Sequence, residues 1–294
     1  MSRSLENSTT DAHSPIGIFD SGVGGLTVYR ALHNRLPNER FVYLGDTARV
    51  PYGTKSLATV ERYAIENSRF LASRGVKLLV VACNTASALA LPKIRAQIGI
   101  DVVGVIGPGA RKAVEITRNI ENPRIAVIAT EATVSSNAYA DSIKRESEKP
   151  EVVQTACPLF VPLAEEDWTR EAETFSIARK YLHKIVEFAP HALVLGCTHY
   201  PILHEVIQQT VGNSVTLIDS GEAAAEEVEK ILRNKGLSNA EPVSYKQERS
   251  LCDDLDHFYV TDAAERFARV AERFLGVKPA KLEAVEVFGA DRLD

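Results

Sequence analysis

Short, unbroken apolar runs recur along this chain, and each is followed by a stretch with the spacing of an amphipathic helix. IGIFD (Ile16–Asp20), RFVYLGD (Arg40–Asp46), KLLVVA (Lys77–Ala82), DVVGVI (Asp101–Ile106), RIAVIAT (Arg124–Thr130), ALVLGC (Ala192–Cys197), SVTLIDS (Ser214–Ser220) and HFYVT (His257–Thr261) are the runs. Between them lie helical stretches such as LTVYRALHNRL (Leu26–Leu36) and SLATVERYAIENSRFLASRG (Ser56–Gly75), the latter with Ser56 as N-cap and Gly75 as C-cap. SALALPKIRAQIG (Ser87–Gly99) is a further helix, which Pro92 either kinks or divides. Apolar runs that do not alternate suit strands covered on both faces. Strand–helix alternation then predicts an α/β fold with mainly parallel, doubly wound sheets.

A chain of 294 residues is long for one small core and suggests about two domains. The glycine break Gly107–Gly109 and the segment Asp219–Ala223 are candidate crossings between them. They divide the chain into residues 15–108 plus 224–276 as a discontinuous first α/β domain and 109–223 as a second. Residues 1–14 read as a polar, disordered tail, residues 277–294 as a tail of uncertain order, and Lys235–Asp254 as a surface excursion. The net charge of −5 and pI near 5.9 suggest no nucleic-acid partner. No run reaches the ~18 apolar residues of a membrane span, and the N-terminus lacks a signal core, so the expected compartment is the cytoplasm.

Chemistry is expected at the strand ends, because in open α/β sheets ligands bind beyond the carboxyl ends of strands. There the following helix presents unpaired N–H groups and its positive dipole end. Two of the four cysteines stand at such places. KLLVVACNTASALALP and HALVLGCTHYPIL each read as an apolar strand, a cysteine, a polar residue and a helix, with the cysteines 114 residues apart (197 − 83). Cys83 and Cys197 are therefore candidate reactive thiols, although the first run read alone favours a buried cysteine that merely fills space. Cys157 and Cys252 lack this context and read as packing residues. No cysteine pair has a zinc spacing or a disulfide framework, and no metal is expected. FDSGVGG is not a dinucleotide signature, since Thr27 occupies its third glycine position.

Taken in order, GIFDSGVGGLTV, YLGDTARVPYG, VVACNTASA and VLGCTHYPIL resemble the glutamate racemases of the aspartate/glutamate racemase superfamily over most of residues 15–225. The resemblance implies two pseudo-symmetric α/β domains with glutamate in the cleft between them, no cofactor, and D-glutamate as product for peptidoglycan synthesis. It implies Cys83 and Cys197 as the acid–base pair, with Asp20 and His199 assisting them and Glu166 as a further site carboxylate. Substrate contacts are implied for Asp20, Ser21, Tyr52, Gly53, Asn84, Thr85, Thr133, Thr198 and His199. Ala132 departs from the glycine that relatives tend to carry, which bears on the backbone path to Thr133. Relatives are often homodimers, and a homodimer is the assembly the resemblance suggests.

Two thiols suit such a reaction. Inversion at a carbon bearing hydrogen needs a proton taken from one face and another delivered to the opposite face, so two groups avoid turning the substrate over. Two other readings stay open at this level. One is a racemase or isomerase of the same superfamily acting on aspartate or a hydantoin; the other is a non-catalytic α/β binding protein with buried cysteines.

Overall fold

The computed structural model describes residues 11–239 and 249–287. The described residues contain ten strands: β1 (Ile16–Asp20), β2 (Phe41–Gly45), β3 (Leu78–Val81), β4 (Asp101–Gly104), β5 (Arg124–Ala129), β6 (Glu151–Ala156), β7 (Ala192–Gly196), β8 (Thr216–Asp219), β9 (His257–Val260) and β10 (Leu282–Ala284). They also contain twelve α-helices. These are α1 (Leu26–Arg35), α2 (Leu57–Ser73), α3 (Asn84–Leu89), α4 (Leu91–Gln97), α5 (Ile106–Thr117), α6 (Glu131–Ser135), α7 (Ala138–Glu146), α8 (Phe160–Glu165), α9 (Ala172–Phe188), α10 (His204–Val211), α11 (Ser220–Lys235) and α12 (Ala264–Leu275).

The strands form two separate sheets, both entirely parallel. One has the order β10-β9-β2-β1-β3-β4, the other β6-β5-β7-β8. Four strands of each sheet are wound alike: the first strand lies between the second and third, and the fourth follows the third. β1, β2, β3 and β4 in one sheet therefore correspond to β5, β6, β7 and β8 in the other. The echo between the two cysteine segments is thus part of a repeated topology, because each cysteine follows the third strand of its set. Burial explains the unbroken apolar runs: β1, β2, β3 and β7 are buried along their whole length, with helices covering both faces.

Local signals explain most element ends. The Ser56 hydroxyl accepts a hydrogen bond from the Thr59 N–H at the start of α2, and Gly75 follows its end at φ +71°. Pro92 lies in the first turn of α4, where its missing N–H has no helical partner to lose, so it begins a second helix rather than kinking one. The Asp219 carboxylate caps α11 by accepting from the Gly221 N–H at 2.7 Å.

Two expectations are corrected. Gly107–Gly109 is not a break but the first turn of α5, where Pro108 is tolerated for the same reason and Gly109 is buried against Ser220 and Tyr139. The stretch from 277 onward is not simply a tail, because β10 adds an edge strand to the larger sheet beside β9. Residues 1–10 of the N-terminal tail, 240–248 of the surface excursion and 288–294 at the C-terminus lie outside the described residues.

Candidate active site

The winding of each sheet creates a crevice where its first strand meets its third, since the helices leaving these strands go to opposite faces. In the larger sheet β1 ends at Asp20–Ser21 and β3 leads to Cys83. In the smaller sheet β5 ends at Ala129–Thr130 and β7 leads to Cys197. The two crevices open into a single cavity of about 190 Å³ that both cysteines line. Ser21, Tyr52, Gly53, Asn84, Thr85, Thr198 and His199 line it as well. Nine expected site residues are therefore brought together from segments far apart in the chain.

The Cys83 half is held by neutral groups. Cys83 is the N-cap of α3, and its sulfur accepts from the Ala86 N–H at 3.5 Å while facing the Ser21 hydroxyl at 3.6 Å. Burial and the nearby Asp20 charge push this thiol up to about 12, against the lowering effect of those two hydrogen bonds. Asp20 sits one layer behind the cavity wall. Its Oδ2 accepts from the Gly22 N–H at 2.9 Å, while its buried Oδ1 has no partner. Burial raises the Asp20 carboxyl, and the facing His199 opposes that rise. Asn84 receives the Tyr139 hydroxyl on Oδ1 at 2.7 Å, and its buried Nδ2 is also unpartnered. Two unpaired buried polar atoms beside one cavity carry a free-energy cost that a polar ligand can relieve.

The Cys197 half is held by ionisable groups. The sulfur lies 3.8 Å from His199 Nδ1, and His199 Nε2 lies 3.1 Å from Glu165 Oε1. Burial alone would depress the imidazole, but the Cys197 sulfur and the Glu165 carboxylate outweigh it and lift His199 to about 10. Burial likewise opposes the Glu165 charge, yet His199 and Arg266 hold that carboxyl below its usual range. Segments of the larger sheet press closely here. The Thr27 hydroxyl donates to the Thr198 carbonyl at 2.8 Å, and a Cβ at Gly24 would stand 2.3 Å from Thr198 Oγ1 and 2.5 Å from the His199 ring. Gly24 is therefore required by close approach.

Two further structures enclose the cavity. The loop Asp46–Thr54 reaches across from the larger sheet, and Gly53 comes up against the Thr130 side chain. Asp46 anchors this loop from below: its carboxylate accepts from Arg49 Nε, Asn67 Nδ2, Thr261 Oγ1 and the Tyr52 hydroxyl. Opposite it, the hydroxyls of Thr85, Thr130 and Thr133 form a triangle with sides of 3.0, 3.1 and 3.3 Å. Thr133 stands behind the other two. Ala132 lies in the helical turn of α6, a conformation that does not call for glycine, and the backbone path to Thr133 is intact.

Three expected residues do not line the cavity: Asp20 and Thr133 lie behind its wall, and Glu166 is displaced from it. Glu166 is exposed at the end of α8 and does not line the cavity, whereas the adjacent Glu165 turns inward to His199. The resemblance implied a carboxylate at Glu166, but the helix end turns its neighbour Glu165 toward His199 instead. Thr130 and Glu165 are the residues that reading the chain missed. Thr130 carried a usable signal, since it follows an apolar strand as Asp20 and Cys83 do. Cys157 and Cys252 are buried away from the cavity. No group of three or more His, Cys, Asp or Glu side chains among the described residues is placed to hold a metal ion.

Residues 16–228 match the Asp/Glu/hydantoin racemase family. A glutamate racemase of Geobacter metallireducens is 52% identical over 263 residues, covering 90% of this chain and 93% of that protein. Among solved structures, a glutamate racemase isoform of Bacillus anthracis superposes with a TM-score of 0.84 at 36% identity, covering 94% of this chain and 98% of that one. A Francisella tularensis glutamate racemase in complex with D-glutamate superposes with a TM-score of 0.83 at 38% identity, with the same coverage.

Proposed function

The chain belongs to the Asp/Glu/hydantoin racemase family, and from that premise we propose that it interconverts L- and D-glutamate with Cys83 and Cys197 as its two proton-transfer groups. The observation that carries this reading is the placement of both sulfurs, each after the third strand of a like-wound sheet, on the wall of one cavity. One thiolate takes the α-proton from its face of the substrate and becomes a thiol. The electron pair left on the α-carbon spreads into the adjacent carboxylate. The opposite thiol delivers its proton to the other face and becomes a thiolate, so the configuration is inverted and the charge on the protein is conserved. Exchange with solvent then resets the pair.

The hard step is carbanion formation without an electron sink, and fixed donors in a dry cleft are the means available. The cavity wall contains no lysine or arginine. Negative charge on the substrate would therefore be met by hydroxyls of Ser21, Thr85, Thr130 and Thr198, by Asn84 Nδ2, and by N–H groups at helix starts. The Asp20 carboxyl, one layer behind the wall, would favour the substrate ammonium group through its field rather than by contact. Cys83, a thiol at neutral pH, would wait as proton donor, while His199 exchanges a proton with Cys197. Residues 15–108 with 224–276 would form the unit carrying Cys83, and residues 109–223 the unit carrying Cys197. As the family resemblance implies, the product would feed peptidoglycan synthesis in the cytoplasm, and a homodimer is the assembly to test for.

Racemisation in deuterium oxide tests the reading. The protein should invert both enantiomers and place solvent deuterium on the α-carbon of each product. Cys83→Ala and Cys197→Ala should each lose inversion. Each should still eliminate hydrogen chloride from one enantiomer of 3-chloroglutamate, because elimination needs a base on one face only. A single-cysteine variant that inverts glutamate at the unaltered rate would rule out the two-thiol scheme.

A further inference from the structure

The groups that hold His199 come from both sheets. Glu165 ends α8, which follows β6 of the smaller sheet. Helix α12 follows β9 of the larger sheet and packs on α1 and β10. Three of its residues nevertheless reach the Cys197 half. Arg266 donates to Glu165 Oε2 at 3.2 Å, and Arg273 donates to the Glu165 main-chain carbonyl at 2.7 Å. The Phe274 ring meets the His199 imidazole edge-on, with centroids 6.0 Å apart and planes at 88°. Positions 266, 273 and 274 are spaced i, i+7 and i+8, which places them on one helix face.

The three contacts complement one another. Arg273 holds the backbone from which the Glu165 side chain starts, Arg266 holds one carboxylate oxygen, and the other oxygen is left to His199 Nε2. Phe274 is buried and packs edge-on against the ring, which limits its tilting. The Cys83 sulfur has no equivalent. Its partners, Ser21 just after β1 and Ala86 in α3, both belong to segments that follow strands of the larger sheet.

We propose that α12 is a positioning element for the Cys197 half of the site, holding Glu165 and His199 where they exchange a proton with the sulfur, so that this half is complete only while the two sheets' units are in contact. The proposal rests on the reading of Cys197 as a proton-transfer group. It makes Arg266, Arg273 and Phe274 positioning residues, since none of them lines the cavity. The titratable groups facing His199 are Cys197 on its own segment, Glu165 from α8 and Asp20 from β1, with Arg266 acting through Glu165.

The test uses the full chain carrying Arg266→Gln and Arg273→Gln together. Both residues are exposed, the Arg266 side chain at 62%, so folding should survive. Phe274→Leu is the second variant. Elimination from the two enantiomers of 3-chloroglutamate is measured beside the pH–rate profile of glutamate racemisation, and Cys197→Ala identifies the enantiomer whose elimination needs Cys197. For that enantiomer the double variant should be about tenfold slower, the scale of a lost supporting contact. The other enantiomer should stay within about twofold, and the alkaline limb of the racemisation profile should move to lower pH. Phe274→Leu should act in the same direction, and restoring Arg273 as Lys in the Arg266→Gln background should recover most of the rate. Equal losses for both enantiomers with an unmoved pH profile, or no loss for either, would overturn the proposal. Failure of the unaltered protein to invert glutamate would instead overturn the reading on which it rests.

Discussion

The two cysteines occupy equivalent places in equivalent windings, yet their surroundings differ in kind. Cys83 is held by a hydroxyl and a main-chain N–H, with a buried carboxylate behind it. Cys197 stands at the head of a chain of ionisable groups, His199, Glu165 and Arg266, that runs out to the protein surface. Repetition of a fold thus reproduces the position of a sulfur without reproducing the groups around it. The topology sets where the strand ends, whereas the partners come from loops and helices that differ between the halves. Under the proposed two-thiol scheme this asymmetry is useful, because one group must begin as acid while the other begins as base.

The comparison can be broken most directly at the sulfurs. Cys83→Ala and Cys197→Ala should each lower racemisation by about 10³-fold or more, the range of a lost acid–base group. Measured on the two 3-chloroglutamate enantiomers, they should show opposite preferences. Identical preferences would mean that the halves do not face opposite sides of the substrate.

Next come the supporting groups. His199→Gln and Asp20→Asn should each cost about 10²-fold in kcat, at the lower end of acid–base contributions. The His199 variant should also lose the alkaline limb of the profile, while the Asp20 variant should keep it. If both variants keep it, the assignment of His199 to that limb fails.

Alkaline pH sharpens the same contrast through stability. His199 is lifted to about 10 from an ordinary value of 6.5, so its contribution is complete below that ordinary value and is lost as pH rises through about 10. Cys83 is raised from 9.0 to about 12, so its contribution persists further and is lost as pH climbs from 9 toward 12. The urea midpoint of the unaltered protein should fall between pH 7 and 10, and His199→Gln should flatten that fall. Cys83→Ser should leave it largely in place and alter the decline only at higher pH.

The smallest effect separates two neighbours. Glu165→Gln keeps the shape of the His199 partner but removes its charge, and should reduce kcat by about tenfold. Glu166→Gln, on an exposed side chain outside the cavity, should change kcat by less than about twofold. A larger loss for Glu166→Gln would reverse the placement of the two carboxylates.

Much of this was legible along the chain. The buried strands could be read because a strand covered on both faces needs an unbroken apolar run, and β1, β3, β5 and β7 each show one. Cys83, Asn84, Thr85, Cys197, Thr198 and His199 could be placed because a strand followed at once by a helix locates its own exit. Where local spacing was ambiguous, reading failed. Gly107–Gly109 resembles a turn in isolation, yet it starts a helix in which Gly109 allows close packing on Ser220 and Tyr139. Glu165 and Glu166 are adjacent acids, and nothing in their order tells which side of a helix end faces inward.

The sequence by itself determined two α/β windings, the strand ends that carry thiols, and the polar residues that follow them. Hydrophobic periodicity and chain direction act over a few residues, and that range is enough for those features. Tertiary structure alone decided that the two crevices share one cavity and that Glu165 rather than Glu166 supports His199. It also decided that Gly24, Arg266, Arg273 and Phe274 from one sheet's unit complete the half-site of the other. The contacts of Gly24, Arg266 and Arg273 span more than a hundred positions and that of Phe274 spans 75 (274 − 199), and their geometry follows from how two packed layers meet, which no local pattern encodes.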